Sequence, residues 1–223
     1  IFNEQYSESQ YKEKLKELSL ASFSTLEKVR QKAEALWLKT PRKFMHGRNN
    51  ENVTGDYVNN SKNAKNCFQV SQAEDCKFGA IQYLGTKDCY DYTSWGNNAS
   101  LVYECQNIGQ DVSNMKFNTG SWENSLNNEY GLQCLGCTDI FGCVTLHKKQ
   151  YCILNKQYTK EQYFELLPKI KKHMEDMPYV DAKGRVYKYG EFFPFEMSTF
   201  DYNETMAQEY FQSTEADAAK QGI

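Results

Sequence analysis

Proline, histidine and long apolar runs are what this 223-residue chain has little of: four prolines, three histidines, and no apolar stretch near the length of a membrane span. The missing stretch leads us to expect no membrane association. The histidines, His46, His147 and His173, give few partners for an acidic, nucleophilic cysteine. A net charge of -3 provides neither a global basic field for nucleic acid nor an acidic tail. The chain does not open with methionine, so the lack of a signal peptide says nothing about export. What is abundant is aromatic, 16 Tyr and 13 Phe, with Asn crowded between residues 49 and 128.

Eight cysteines, Cys67, Cys76, Cys89, Cys105, Cys134, Cys137, Cys143 and Cys152, all lie in the middle of the chain. A secreted disulfide scaffold is short and cysteine-dense from end to end. Cysteines beside aromatics in a large domain instead read as buried, reduced thiols serving as small hydrophobes. That usage points to a reducing, cytoplasmic compartment.

The opening residues return near the far end. Ile1 to Leu15 aligns with Ile153 to Leu167, with eight of fifteen positions identical and Ser7 matched by Thr159. Such self-similarity is the mark of a tandem architecture. The first copy lacks the Gln150-Tyr151-Cys152 strand that precedes the second, so the chain is expected to open inside a repeat.

Residues 7 to 40 read as two helices. Ser7-x-x-Gln10 and Ser24-x-x-Glu27 are capping boxes, Leu26, Val29, Ala33, Leu36 and Trp37 form an apolar stripe, and Pro41 stops the second helix. From about Glu51 to Ile153 no helical period survives. A phrase recurs instead, an Asn or Asp followed by Cys or Met with an aromatic near: Asn66-Cys67-Phe68, Asp75-Cys76-Lys77-Phe78, Asp88-Cys89-Tyr90 and Asn114-Met115-Lys116-Phe117.

We read these phrases as corners of a parallel β-solenoid. Asn, Asp and Gly tolerate left-handed backbone at each bend, the next residue points inward, and aromatics fill the wider faces. The spacing suggests coils of roughly 20–25 residues.

A helical pattern resumes at Thr159, whose Thr159-x-x-Gln162 repeats the Ser7 cap. Its stripe is Phe164, Leu167, Ile170 and Met174, with Pro168 opening a second short helix. Asp181 to Gly184 suggests a turn between two short strands.

The fold class expected is therefore mainly β with helices: a parallel β-solenoid (an irregular right-handed β-helix) flanked by helical caps that cover its unpaired edges. Residues 1–48 are a helical pair, 49–155 the solenoid, and 156–223 a helical cap with a C-terminal extension.

Several longer motifs carry a resemblance. They are Ile1-Phe-Asn-Glu-Gln-Tyr6, His46-Gly-Arg-Asn-Asn-Glu-Asn-Val-Thr-Gly-Asp-Tyr57, Lys87-Asp-Cys-Tyr-Asp91, Tyr103-Glu-Cys105, Phe141-Gly-Cys143, Gln150 to Tyr158 and Tyr189-Gly-Glu-Phe-Phe-Pro194. Over essentially its whole length the chain resembles a family of cysteine- and tyrosine-rich repeat proteins from ultra-small bacteria of the candidate phyla radiation. The resemblance implies architecture and lineage but no catalytic residues. It also implies a longer protein, with zinc-ribbon-like segments, of which this chain is a C-terminal part.

Three constellations bear on chemistry. Cys134-x2-Cys137-x5-Cys143-x8-Cys152, near His147, has thiolates suited to zinc, but a second tight pair is missing. The preferred reading is a ladder of buried thiols with no cofactor, zinc being the alternative. Cys143 with His147 is the nearest approach to a nucleophile pair, without a recognisable protease motif.

Acidic side chains recur along the coils: Glu74, Asp75, Asp88, Asp91, Glu104, Asp111, Glu123 and Glu129. Lined up, they suit calcium or acid–base cleavage of a polysaccharide, with Tyr83, Tyr90, Tyr92, Trp95 and Trp122 stacking on sugars. The simpler reading is turn chemistry and aromatic filling.

The short basic clusters, Arg42-Lys43 and Lys169, Lys171, Lys172, read as solvated faces rather than a nucleic-acid patch. The expected function is a non-catalytic repeat scaffold that binds a protein partner or itself. An enzyme acting on carbohydrate through the solenoid face, or a thiol-based hydrolase, is the alternative.

Overall fold

From Tyr57 to Leu84 every third residue has left-handed backbone: Tyr57, Asn60, Asn63, Asn66, Gln69, Gln72, Asp75, Phe78, Ile81 and Leu84 all lie between φ 50° and 64°. The residue after each corner turns inward, so Val58, Ser61, Ala64, Cys67, Val70, Ala73 and Cys76 are buried. Four triplets close a twelve-residue coil, an extra left-handed residue at one corner, as at Asn97-Asn98 and Gln110-Asp111, makes a coil of thirteen, and each coil stacks on the last in register. Gly55 lies opposite Cys67, twelve residues on, and Tyr90 opposite Tyr103, thirteen on. The fold is a parallel β-solenoid of about eight turns with helices attached.

The structure, a computed structural model, describes residues 1–222. The solenoid strands are β1 (Gly47–Arg48), β2 (Gly55–Asn59), β3 (Cys67–Ser71), β4 (Ala73–Glu74), β5 (Lys77–Tyr83), β6 (Thr86–Gly96), β7 (Ala99–Gly109), β8 (Val112–Lys116), β9 (Leu126–Glu129), β10 (Thr138–Phe141) and β11 (Gln150–Ile153). They pair in parallel, and β12 (Lys156–Gln157) then turns back antiparallel on β11. Two compact units divide the chain, Ile1–His46 and everything from Gly47 onward.

Left-handed corners cost about 1–2 kcal/mol per ordinary residue, so each needs compensation. Backbone bonds between turns provide part of it: Asp75 N–H donates to Lys62 O at 3.0 Å and Phe78 N–H to Lys65 O at 2.9 Å. Side-chain ladders add more. Asn52 Nδ2 donates to Asn63 Oδ1 at 2.8 Å, and Asn63 Nδ2 to Asp75 Oδ1 at 2.7 Å. Asn114, Asn127 and Asp139 repeat the arrangement at the same corner further along. Identical stacking of amide side chains at the ~4.8 Å coil spacing is what favours such ladders.

The interior is narrow and built of small side chains. One turn is polar throughout, with Asn118, Ser121, Ser125 and Asn128 all buried. It divides the apolar interior into a cluster running from Val58 to Met115 and another built from Cys134 to Cys152.

Beyond the solenoid, α3 (Lys160–Asp176) is followed by the hairpin β13 (Tyr179–Val180) and β14 (Val186–Tyr187). The unit of residues 1–46 contains α1 (Glu8–Leu18) and α2 (Phe23–Trp37). The short helices α4 (Ala207–Tyr210) and α5 (Glu215–Gln221) lie in the C-terminal extension.

Some expectations need correcting. Coils have 12 or 13 residues rather than 20–25, because every third residue turns a corner whatever its type. Pro168 lies inside α3 instead of starting a new helix. Packing of Tyr163, Leu166, Leu167, Ile170 and Met174 outweighs the one N–H bond it removes. Phe164 is exposed and Tyr163 takes the buried place. The Ser24 box is not made: α2 starts at Phe23, and its N-cap Ser22 makes no side-chain cap bond.

Candidate functional site

Aromatic side chains form a continuous row along one outer edge of the solenoid. Phe78, Tyr90, Tyr103, Phe117, Tyr130 and Phe141 follow one another with ring centroids 5.3, 5.9, 5.5, 4.6 and 5.4 Å apart. The register brings them together, since Tyr90 and Tyr103 are direct partners on adjacent strands. Each contact is worth about 0.5–1.5 kcal/mol beyond area burial. Towards the C-terminal end the row is covered, and Phe117, Tyr130 and Phe141 pack with Tyr163, Tyr189 and Phe193. At the other end Phe78 and Tyr90 stay 38% and 39% exposed, with Lys77 Nζ 4.7 Å from the Phe78 ring centre.

The covering segment is held at Glu129. Lys171 of α3 donates to Glu129 Oε1 at 2.8 Å and Tyr189 to Oε2 at 2.9 Å, while Lys171 also donates to the Tyr189 hydroxyl at 3.0 Å. Beside it the Tyr130 hydroxyl donates to Glu191 O and accepts from Gly190 N–H. Burial pushes the Tyr130 phenol up to about 12 and Tyr189 still higher.

Two carboxylates occupy one corner on successive coils, Asp91 and Glu104, since their neighbours Tyr90 and Tyr103 are paired. Burial raises both, and for Glu104 the charges of Asp91 and Glu191 add to the rise. Tyr103 and the Phe192 N–H pull Glu104 the other way by hydrogen bonding. Four of the other acidic residues serve the fold: Asp75 and Asp111 accept from Asn63 and Asn98, Glu74 meets Lys87 at 3.2 Å, and Glu129 closes the clasp.

Glu191 also borders an apolar cleft of about 420 Å3, lined by Tyr130, Phe141, Met174, Tyr187, Phe192 and Phe193. Nothing in the sequence singled out Tyr189, Glu191 or the cleft as parts of one site. The only signal was the aromatic Tyr189-Gly-Glu-Phe-Phe-Pro194 segment.

Of the aromatics singled out for stacking, Tyr90 lies in the exposed row. Tyr92 is fully buried inside the coils, donating to Ile108 O and accepting from Gly96 N–H. Trp95 and Trp122 pack together elsewhere on the surface, 5.0 Å apart.

All eight cysteines are free and buried. Each Sγ lies within hydrogen-bonding reach of the carbonyl two residues before it, as for Cys67 with Lys65 O and Cys152 with Gln150 O. Cys134 and Cys137 sit on one turn and Cys143 and Cys152 on the next. None stacks on another of the four: their register partners are Leu146, Lys149, Gly131 and Ile140. Among the described residues no group of three or more His, Cys, Asp or Glu is placed to hold a metal ion.

Burial lifts the thiols of Cys105 and Cys143 to about 12 and about 11. Cys76 stacks on Cys89, and hydrogen bonding between the two thiols lowers Cys76, but Cys76 is only 1% exposed. His147 lies on the exposed surface and Cys143 inside, so they do not form a nucleophile pair.

No family model and no curated protein matches the chain.

Proposed function

We propose that the chain is a non-catalytic repeat scaffold that binds protein, itself included, through the open end of its aromatic row. The burial of all eight thiols, each aimed at a backbone carbonyl, carries the first half of this reading. A thiolate nucleophile needs access and a partner base, and these groups have neither. The second half is supported by Phe78 and Tyr90, large rings left open beside Lys77 where the rest of the row is covered. Exposed apolar surface rimmed by charge is characteristic of interaction sites.

Sedimentation velocity over a concentration series tests it, comparing the chain with a Phe78→Ser/Tyr90→Ser variant. Concentration-dependent association lost in the variant supports self-binding through the row. Identical monomers at every concentration remove self-association.

A second reading is favoured by one observation, the raised carboxyls of Asp91 and Glu104 next to Tyr90 and Glu191. Two such groups flanking an aromatic surface suit acid–base cleavage of a polysaccharide. Reducing ends released from a polysaccharide panel, and lost with Glu104→Gln, would move the assignment to an enzyme.

A further inference from the structure

The two sequence copies adopt the same local structure and differ in what covers them. In the second copy Leu154 and Asn155 have φ 47° and 63°; in the first, Phe2 and Asn3 have 51° and 63°. Positive φ at both central residues is the two-residue turn that reverses a strand. At Leu154 and Asn155 it does so, linking β11 to β12. At Phe2 and Asn3 the turn is closed by the Glu4 N–H donating to Ile1 O at 2.9 Å. The caps agree as well. Ser7 lies at φ -69°, ψ 162° and Thr159 at φ -69°, ψ 161°, each with a complete capping box to Gln10 or Gln162.

In the second copy this structure closes the solenoid. Ile153 is 3% and Tyr163 2% exposed, and Leu167 and Ile170 pack in the same cluster as Phe117, Tyr130 and Phe141. The matching residues of the first copy are Ile1, Tyr11, Leu15 and Leu18. Tyr11 is 45% and Leu15 40% exposed, and no residue of α1 is buried. Positions changed between the copies are mostly ones that remain exposed in the second, such as Lys12 for Phe164 and Glu8 for Lys160. Lys14 for Leu166, at the margin of the packed face, and the conservative change of Leu18 for Ile170 are the exceptions.

We infer that Ile1–Leu18 is a docking surface for the terminal coil of a parallel β-solenoid joined directly ahead of Ile1, which it closes as Ile153–Ile170 closes the coil ending at Cys152. The partner chemistry follows from the second copy: a β-strand running into Ile1, and an outer edge of apolar and aromatic side chains facing Tyr11, Leu15 and Leu18. A separate copy of this chain is not the occupant, because the corresponding coil in it is already covered by its own α3. The inference rests on the scaffold reading only in taking a solenoid end as partner. Phe78 and Tyr90 play no part in it, so either can fail without the other.

The test is a tandem protein in which residues 1–152 run directly into Ile1 of the complete chain, followed by hydrogen exchange. Amides of the internal α1 are expected to exchange about tenfold or more slowly than in the single chain. Tyr11→Asp in that helix should restore the fast rate. A control carrying residues 1–176 ahead of Ile1 keeps its own cap and should leave the internal α1 fast. Unchanged exchange in the first tandem, insensitivity to Tyr11→Asp, or loss of protection in the upstream coil at residues 138–152 would each overturn the inference.

Discussion

The Tyr189 hydroxyl donates to Glu129 Oε2 at 2.9 Å, joining the end of β9 to a residue 60 positions later. Lys171 holds the other carboxylate oxygen at 2.8 Å, so one side chain fastens both α3 and the segment after it. Glu129→Ala strands a partly buried ammonium and a phenol. We expect a loss of about 2 kcal/mol in urea unfolding, below the full cost of a broken buried pair because Lys171 retains some solvent. Glu129→Gln keeps an acceptor for Tyr189 and should lose about half as much. Equal stability of all three proteins would mean that the clasp does not hold the segment.

Alkaline pH should unfold the chain. Burial raises Tyr103 and Tyr130 to about 12, and raises Tyr92, Tyr163 and Tyr189 further. A folded-state pKa above the unfolded value near 10 favours the protonated fold. Its stabilisation is complete below about pH 10 and is lost as pH rises through the folded values. Phenolate absorbance should therefore climb gradually for exposed tyrosines, then rise in a steep step coincident with loss of circular dichroism. A single smooth titration with the fold intact would contradict this.

Asn128 is fully buried, and neither side-chain polar atom has a partner. It lies in the polar turn between Met115 and Ile140, its register partners. Removing an unsatisfied amide relieves about 1–3 kcal/mol, so Asn128→Leu should raise the melting temperature. A lower melting temperature would indicate an ordered water or a packing role for the amide.

The solenoid was legible because Asn66-Cys67, Asp75-Cys76 and Asp88-Cys89 each put a left-handed corner ahead of an inward thiol. Its coil length was not. Phe78, Ile81, Leu101, Phe117 and Tyr130 also sit at left-handed corners, where such side chains are rarely tolerated, so the three-residue period was masked. Inward positions vary from Val58 to Ser61 to Ala64 to Cys67, which hides the period a second time.

The helix caps Ser7 and Thr159 were readable because a capping box is local in sequence. The covered row was not: it depends on Tyr189 and Phe193 returning to Tyr130 across about 60 residues, and no local pattern encodes that. Aromatics assigned to the interior proved to stack mainly outside it, because at 12 or 13 residues per coil there is little room within.

Thiol titration before and after unfolding tests most directly whether the cysteines build the solenoid interior rather than perform chemistry. The expected result is no rapidly reacting thiol in the native chain, eight in denaturant, and no zinc in the purified protein. Rapid native reaction at Cys134, Cys137, Cys143 or Cys152, or one zinc per chain released on unfolding, would contradict it.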